Sequence, residues 1–231
     1  MKQLFLLTVI TFSVTLSAVS QIRFGIKAGY GLATASEKKY ANIGSTQRKS
    51  NITGLHAGAV ADIPLTKYFA LQPGLFYYQK GVNFKRNSYS AALGQQFRVD
   101  SDEKLNYLEL PVNFVGKLPL GTGKIFAGLG PYVAMGIHGK IKSDIYLSGS
   151  HLTDNREIKF GGKEQDMTDP HSDVPMKHFD AGASFTIGYE MKMGLVFSVG
   201  YSLGLTSISV ETDGTLRNRY AGISIGYLFT K

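Results

Sequence analysis

Apolar and polar positions alternate with a period of two along most of this chain. The clearest case is 54–81, GLHAGAVADIPLTKYFALQPGLFYYQKG. Leu55, Ala57, Ala59, Ala61 and Ile63 share one face. Gly54, His56, Gly58 and Asp62 share the other, with Val60 an apolar exception. That spacing belongs to a strand and not to a helix. Pro64 ends the run, and Leu65, Thr66, Lys67 and Tyr68 turn the chain. A second arm sets Leu71, Pro73, Leu75 and Tyr77 against Gln72, Gly74, Tyr78 and Lys80. A soluble hairpin carries polar residues on its open face. Here the aliphatic side is free of charge and the polar side is rich in glycine. Such a strand faces lipid on one side and a lumen on the other.

The same pattern predicts eight strands: 22–30, 53–63, 69–80, 105–115, 125–137, 179–191, 195–205 and 220–229. In the first, Ile22, Phe24, Ile26, Ala28 and Tyr30 oppose Arg23, Gly25, Lys27 and Gly29. Leu108, Leu110, Val112 and Phe114 oppose Tyr107, Glu109 and Asn113. Strand 179–191 puts Phe185, Ile187 and Tyr189 opposite Asp180, Ser184 and Glu190. Segment 125–137 is apolar in both phases, which leaves its orientation open. Three connections are short (64–68, 116–124, 192–194) and four are long (31–52, 81–104, 138–178, 206–219). Short and long alternate, as they do when every second connection lies on the same side of a membrane. The expectation is an all-β fold: an eight-stranded antiparallel up-and-down transmembrane barrel with short periplasmic turns and long extracellular loops. Closure satisfies every backbone group in lipid, which an open sheet does not.

Residues 1–20 have the character of a cleaved signal peptide. Lys2 is followed by an apolar stretch over 4–16 and by Ala18, Val19 and Ser20, a small-x-small site. The division expected is a signal peptide at 1–20 and a barrel domain at 21–231, in the outer membrane of a Gram-negative cell. Composition agrees: 18% charged residues, 27 Gly and 13 Tyr. Cysteine is absent, which excludes thiol chemistry and disulfides. The net charge of +8 is scattered and forms no basic stripe with stacking aromatics, so nucleic acid is excluded as a partner.

Several segments resemble a known family. The hairpin at 54–81, LNYLELPVNF (105–114), FAGLGPYVAMG (126–136), FDAGASFTIGYE (179–190), YSLGLTSI (201–208) and ISIGYLF (223–229) occur in the expected order. Together they resemble the outer-membrane β-barrel family common in Bacteroidetes, labelled PorT-like or porin-like. The resemblance covers nearly all of 22–229. It implies the barrel fold and carries no specific activity, although one founding member is associated with protein secretion.

No catalytic, cofactor or metal site stands out. Gly200, Tyr201, Ser202, Leu203 and Gly204 match G-x-S-x-G, but alternation runs straight through Ser202 and no helix follows, so the nucleophile elbow is missing. His171 lies among Asp166, Asp169 and Asp173 without a ligand spacing. The expected interior is a polar network of Arg23, Lys27, His56, Asp62, Glu109, Asn113, Asp180 and Glu190. An eight-stranded barrel is filled by its side chains, so these are expected to plug it. Tyr227 and Phe229 end the last strand and are the expected signal to the barrel assembly machinery. Lys38, Lys39, Arg48 and Lys49 are candidate contacts to lipopolysaccharide phosphates. The remaining partner expected is an unidentified extracellular ligand or protein, met by the long loops and above all by 138–178, which is expected to be a hydrated segment. The function expected is non-enzymatic, structural or binding; the alternative is a small pore or an accessory of secretion.

Overall fold

A computed structural model describes residues 22–39, 46–90, 94–147, 149–162, 173–211 and 214–229. The predicted signal peptide and His171 lie outside the described residues. All elements among the described residues are strands: β1 (Arg23–Lys39), β2 (Thr46–Ser50), β3 (Ile52–Pro64), β4 (Phe69–Ser90), β5 (Gln95–Leu120), β6 (Gly123–Leu147), β7 (Ser150–Phe160), β8 (Val174–Met176), β9 (Phe179–Met191), β10 (Leu195–Gly204) and β11 (Gly214–Leu228).

Eight of them close a ring. β1 pairs with β3, β3 with β4, β4 with β5, β5 with β6, β6 with β9, β9 with β10, β10 with β11, and β11 with β1, all antiparallel. The last strand seals the first: Gly25 lies opposite Leu228, and the Phe229 N–H donates to Phe24 O at 2.8 Å. No edge strand is left within the lipid layer, where an unpaired edge is untenable.

The lipid face is the one the alternation predicts. Phe24 is 64% exposed, Ile223 64%, Leu129 61% and Ile187 54%, values that make sense only in an apolar solvent. The ladder also settles 125–137. Phe126, Tyr132 and Ala134 point inward, while Ile125, Leu129 and Val133 point outward. The register between β5 and β6 then slips, because Asn106 pairs with His138 but Tyr107 with Gly136. Ile137 is the extra residue, a bulge.

Three tight turns and the described chain ends lie at the same end of the barrel. One turn holds Gly121 at φ +59, another Gly194 at φ +94, conformations that glycine reaches without strain. The Gly194 N–H closes its turn on Met191 O at 2.9 Å. The β3–β4 turn is held by Thr66, whose Oγ1 accepts from the Phe69 N–H at 3.1 Å.

At the opposite end the strands run far past the lipid band, which corrects the loop assignments. β4 and β5 absorb nearly all of 81–104, and β1 continues to Lys39. The expected hydrated segment 138–178 is, among its described residues, the upper part of β6 with β7 and β8. It packs: Ile158 and Met176 join Leu105, Tyr107, Tyr132, Ala134, Ile141 and Ile208 in a buried cluster over the barrel mouth. The physical reason is that a strand leaving lipid keeps its alternation but trades an apolar outer face for a charged one. Lys104, Asp102, Lys140 and Lys142 are outward here. The turn expected at 116–124 is also shorter, since β5 runs to Leu120 and β6 begins at Gly123.

Candidate functional site

The lumen is filled by two layers of charge. The lower layer is built where β1, β3, β4, β5 and β9 meet near the tight turns. Arg23 reaches Asp62 with Nη2 and Glu190 with Nη1. Lys117 Nζ reaches Asp62 at 2.8 and 2.9 Å and Glu190 at 2.9 Å. Gln72 Nε2 donates to Asp62 Oδ1 at 2.8 Å. Two cations thus share two carboxylates, each held by several donors, which is the condition for keeping charge out of water.

The upper layer centres on Lys80, whose side chain is fully buried. Its Nζ lies 2.6 Å from Glu109 Oε2 and 3.8 Å from Asp180 Oδ2. Three tyrosine rings surround the ammonium, with centroids at 4.6 Å (Tyr132), 5.4 Å (Tyr107) and 5.5 Å (Tyr78). Their electron-rich faces add cation–π attraction. Asp180 also accepts from Tyr132 Oη at 3.2 Å and from Asn218 Nδ2 at 3.0 Å.

Between the layers lies an internal cavity of about 70 Å3, bordered by Lys27, His56, Glu109, Asn113, Ser184 and Ser198 among others. It is polar and large enough for ordered water. His56 sits in its wall, with Tyr220 Oη 2.9 Å from Nδ1 and Ser224 Oγ 2.7 Å from Nε2. The single Tyr220 hydroxyl proton goes to Gly54 O at 3.0 Å, so Nδ1 donates to Tyr220. In the neutral imidazole, Nε2 then accepts from Ser224. Gly29 makes room for this ring; a Cβ there would collide with it. Asn113 Oδ1 accepts from Ser184 Oγ at 2.6 Å.

The structure places all eight expected interior residues inside the barrel and joins Arg23 to Asp62 and Glu190 among them. Lys27 makes no ion pair among the described residues and lies 5.6 Å from the Phe126 centroid. The cations that meet the carboxylates are Arg23, Lys80 and Lys117. Lys117 was hidden in a predicted turn, and Lys80 stood on the polar face of its strand as the available signal. Alternation puts Tyr78 and Tyr107 on the inward face and leaves the phase of Tyr132 open, but an inward tyrosine does not declare its partner.

Above the upper layer a cleft of about 300 Å3 opens outward. One wall is the upper part of β4 and β5, with Phe84, Arg86, Phe97 and Val99. The other is β8, the β10–β11 connection and the start of β11, with Met176, Val210 and Leu216. Glu37, Glu103 and Glu211 stand at its border. Glu37 pairs with Lys49 at 3.0 Å. Among the described residues no histidine borders the cleft, and Ser202 is a buried residue inside β10. On the outer face of the extension, Arg98 Nε donates to Asp100 at 2.8 Å and holds its carboxyl below the usual carboxylate range.

The remaining expected contacts lie high on the extension. Arg48 is opposite Lys85 on β4, well past Tyr77, the last lipid-facing aromatic of that strand. The backbones of Lys38 and Lys39 pair with Thr215 and Gly214, and their side chains fall outside the description. Tyr227 and Phe229 both face outward, ring centroids 5.4 Å apart.

A family model described as outer membrane protein beta-barrel domain matches residues 12–210. No curated protein matches the chain. Solved structures that are similar include Neisserial surface protein A, at 13% identity and TM-score 0.42 over 91% of this chain and 100% of that one. OprG from Pseudomonas aeruginosa has 11% identity and TM-score 0.45 over 90% and 96%. Ail of Yersinia pestis, in complex with the heparin analogue sucrose octasulfate, has 11% identity and TM-score 0.36 over 90% and 100%. With the matched region covering seven of the ring strands and β11 completing the closure, this chain belongs to the outer membrane protein beta-barrel domain family and is an outer-membrane protein.

Proposed function

We propose that this protein is a non-enzymatic binding protein in which a closed barrel supports an extracellular recognition surface. The observation that carries this reading is the contrast along the barrel axis. Two charge layers fill the lumen, while the cleft above them is open and bordered by both aromatic and charged groups. Pockets of that size and mixed lining suit small amphipathic ligands or an inserted side chain of a partner. Rigid strands present the surface and the loops above vary its chemistry. The finer features belong to the same reading: kinship with the PorT-like barrels of Bacteroidetes, export through cleavage after Ser20, and delivery by the assembly machinery through the Tyr227–Phe229 end. Candidate lipopolysaccharide contacts at Lys38, Lys39, Arg48 and Lys49 extend the binding surface upward.

The test pairs a measurement on purified, refolded protein with one in intact outer membranes. In planar bilayers no steady conductance is expected. In crosslinking from intact outer membranes, a captured partner is expected to be lost when Phe84→Glu and Phe97→Glu are introduced in the cleft. A partner that survives both substitutions would refute the cleft as the recognition surface.

The second reading is a transport or secretion component. The cavity between the layers favours it, because Lys27, His56 and Asn113 give it a polar lining. Stable channels in the unsubstituted protein would establish this alternative.

A further inference from the structure

Immediately above the lipid-facing band the outer surface turns basic. Lys104 on β5 and Lys140 on β6 lie directly opposite each other, both exposed. Below them on the same face are Leu108 on β5 and, past the bulge, Ile137 on β6, 37% and 48% exposed. On β11, Arg219 and Arg217 continue the outward face that carries Ile225 and Ile223 into lipid. Their cross-strand neighbours are neutral: Thr34 and Leu203 flank Arg219, and Ser36 adjoins Arg217.

None of these four cations takes part in the ion pairs seen among the described residues, which on the extension include Arg98 with Asp100, Lys142 with Asp144 and Arg156 with Asp154. The outward carboxylates next to them are Asp102, which accepts from Asn83 at 2.5 Å, and Glu157, which stands opposite Lys140. Glu157 offsets part of this charge from the β7 side, but Lys104 and Lys140 still face each other across the β5–β6 ladder, where like charges repel and an added anion is favoured. A long cationic side chain at the rim of an apolar band lays its stem along the hydrocarbon and its charge at headgroup height. Phosphate is the anion present at that height.

We propose that Lys104 with Lys140, and Arg217 with Arg219, form two binding sites for phosphate-bearing lipid of the outer leaflet. Paired cations of this kind grip a phosphate by charge and by several N–H donors. The proposal rests on the outer-membrane placement and not on the cleft, so the two can fail separately. The candidates on β2 stand higher on the extension, opposite Lys85 and Phe84, whereas these four sit where the acyl-facing surface ends.

The experiment uses full-length protein in detergent micelles, titrated with lipid A carrying its phosphates, with lipid A lacking them, and with inorganic phosphate. Variants are Lys104→Ser/Lys140→Ser, Arg217→Ser/Arg219→Ser, their combination, and the charge-keeping Lys104→Arg/Lys140→Arg. Heat-modifiable gel mobility confirms that each is folded. The expected result is binding of phosphorylated lipid A that weakens roughly fivefold for each cation removed. The Arg pair is expected to retain it, and about 1 M salt, where screening acts over about 3 Å, to reduce it. Equal binding of lipid A without phosphates, or unchanged binding by the folded fourfold variant, would overturn the proposal. Competition by millimolar inorganic phosphate as strong as that by the lipid would overturn the lipid as the source.

Discussion

Lys80→Met isolates the upper charge layer. Methionine keeps the length of the side chain and removes the ammonium. Glu109 then loses its only donor among the described residues, at 2.6 Å, inside a site where Lys80 and Glu109 are essentially inaccessible. Asp180 loses less, since Tyr132 and Asn218 still donate to it. Breaking a buried pair by removing one partner costs about 3–5 kcal/mol. The rings of Tyr132, Tyr107 and Tyr78 add to the loss, because their cation–π attraction disappears as well, and the upper half of that range is expected. Glu109→Ala should cost less, about 3 kcal/mol, because Lys80 keeps Asp180 at 3.8 Å and the three rings. The double variant Lys80→Met/Glu109→Leu should regain most of the stability, since an apolar pair of similar volume is often neutral. The assay is urea unfolding in lipid vesicles, followed by tyrosine fluorescence in a chain with 13 Tyr and no Trp. Losses below about 0.5 kcal/mol for both single variants, the range of ordinary surface changes, would refute a pair that holds the barrel together.

Three further outcomes follow from the fold. Shortening the hairpin tip by joining Asp144 to Thr153 through a two-residue turn should leave insertion and heat modifiability intact, whereas replacing 142–177 with a Gly-Ser linker should destabilise the barrel. The second change strips Ile158 and Met176 from the cluster over the mouth, at about 2–5 kcal/mol for each large side chain lost; gel mobility and urea midpoints distinguish the two. Deleting 227–231 removes the pairing of Tyr227 with Ile26 and the Phe229 bond to Phe24, so heat-modifiable mobility should vanish and the chain should aggregate in the periplasm. Intact mass of the envelope protein should show a chain beginning at Gln21, and a mass that includes residues 1–20 would exclude cleavage after Ser20.

The lipid-spanning part of this protein is legible from the sequence because solvent imposes it locally. Each outward residue between the tight turns must be apolar and each inward one small or polar, so Phe24, Ile26, Ile223 and Ile225 declare their face one by one. The even strand number and the end at which the short turns lie follow from the same alternation. The extracellular strands were not legible, because in water both faces tolerate charge, and Lys85, Asp100, Lys104 and Lys142 read as loop. Nor was the pairing inside the lumen. The interior membership of Arg23, Asp62, Glu109 and Glu190 is a property of each strand, but which cation meets which carboxylate depends on the stagger between strands. Closure brings Arg23, Lys117, Asp62 and Glu190 together from four different strands, and puts Lys80 rather than Lys27 beside Glu109. Period-two patterning fixes the side of a strand on which a residue stands, and only the register of the closed ring fixes its height.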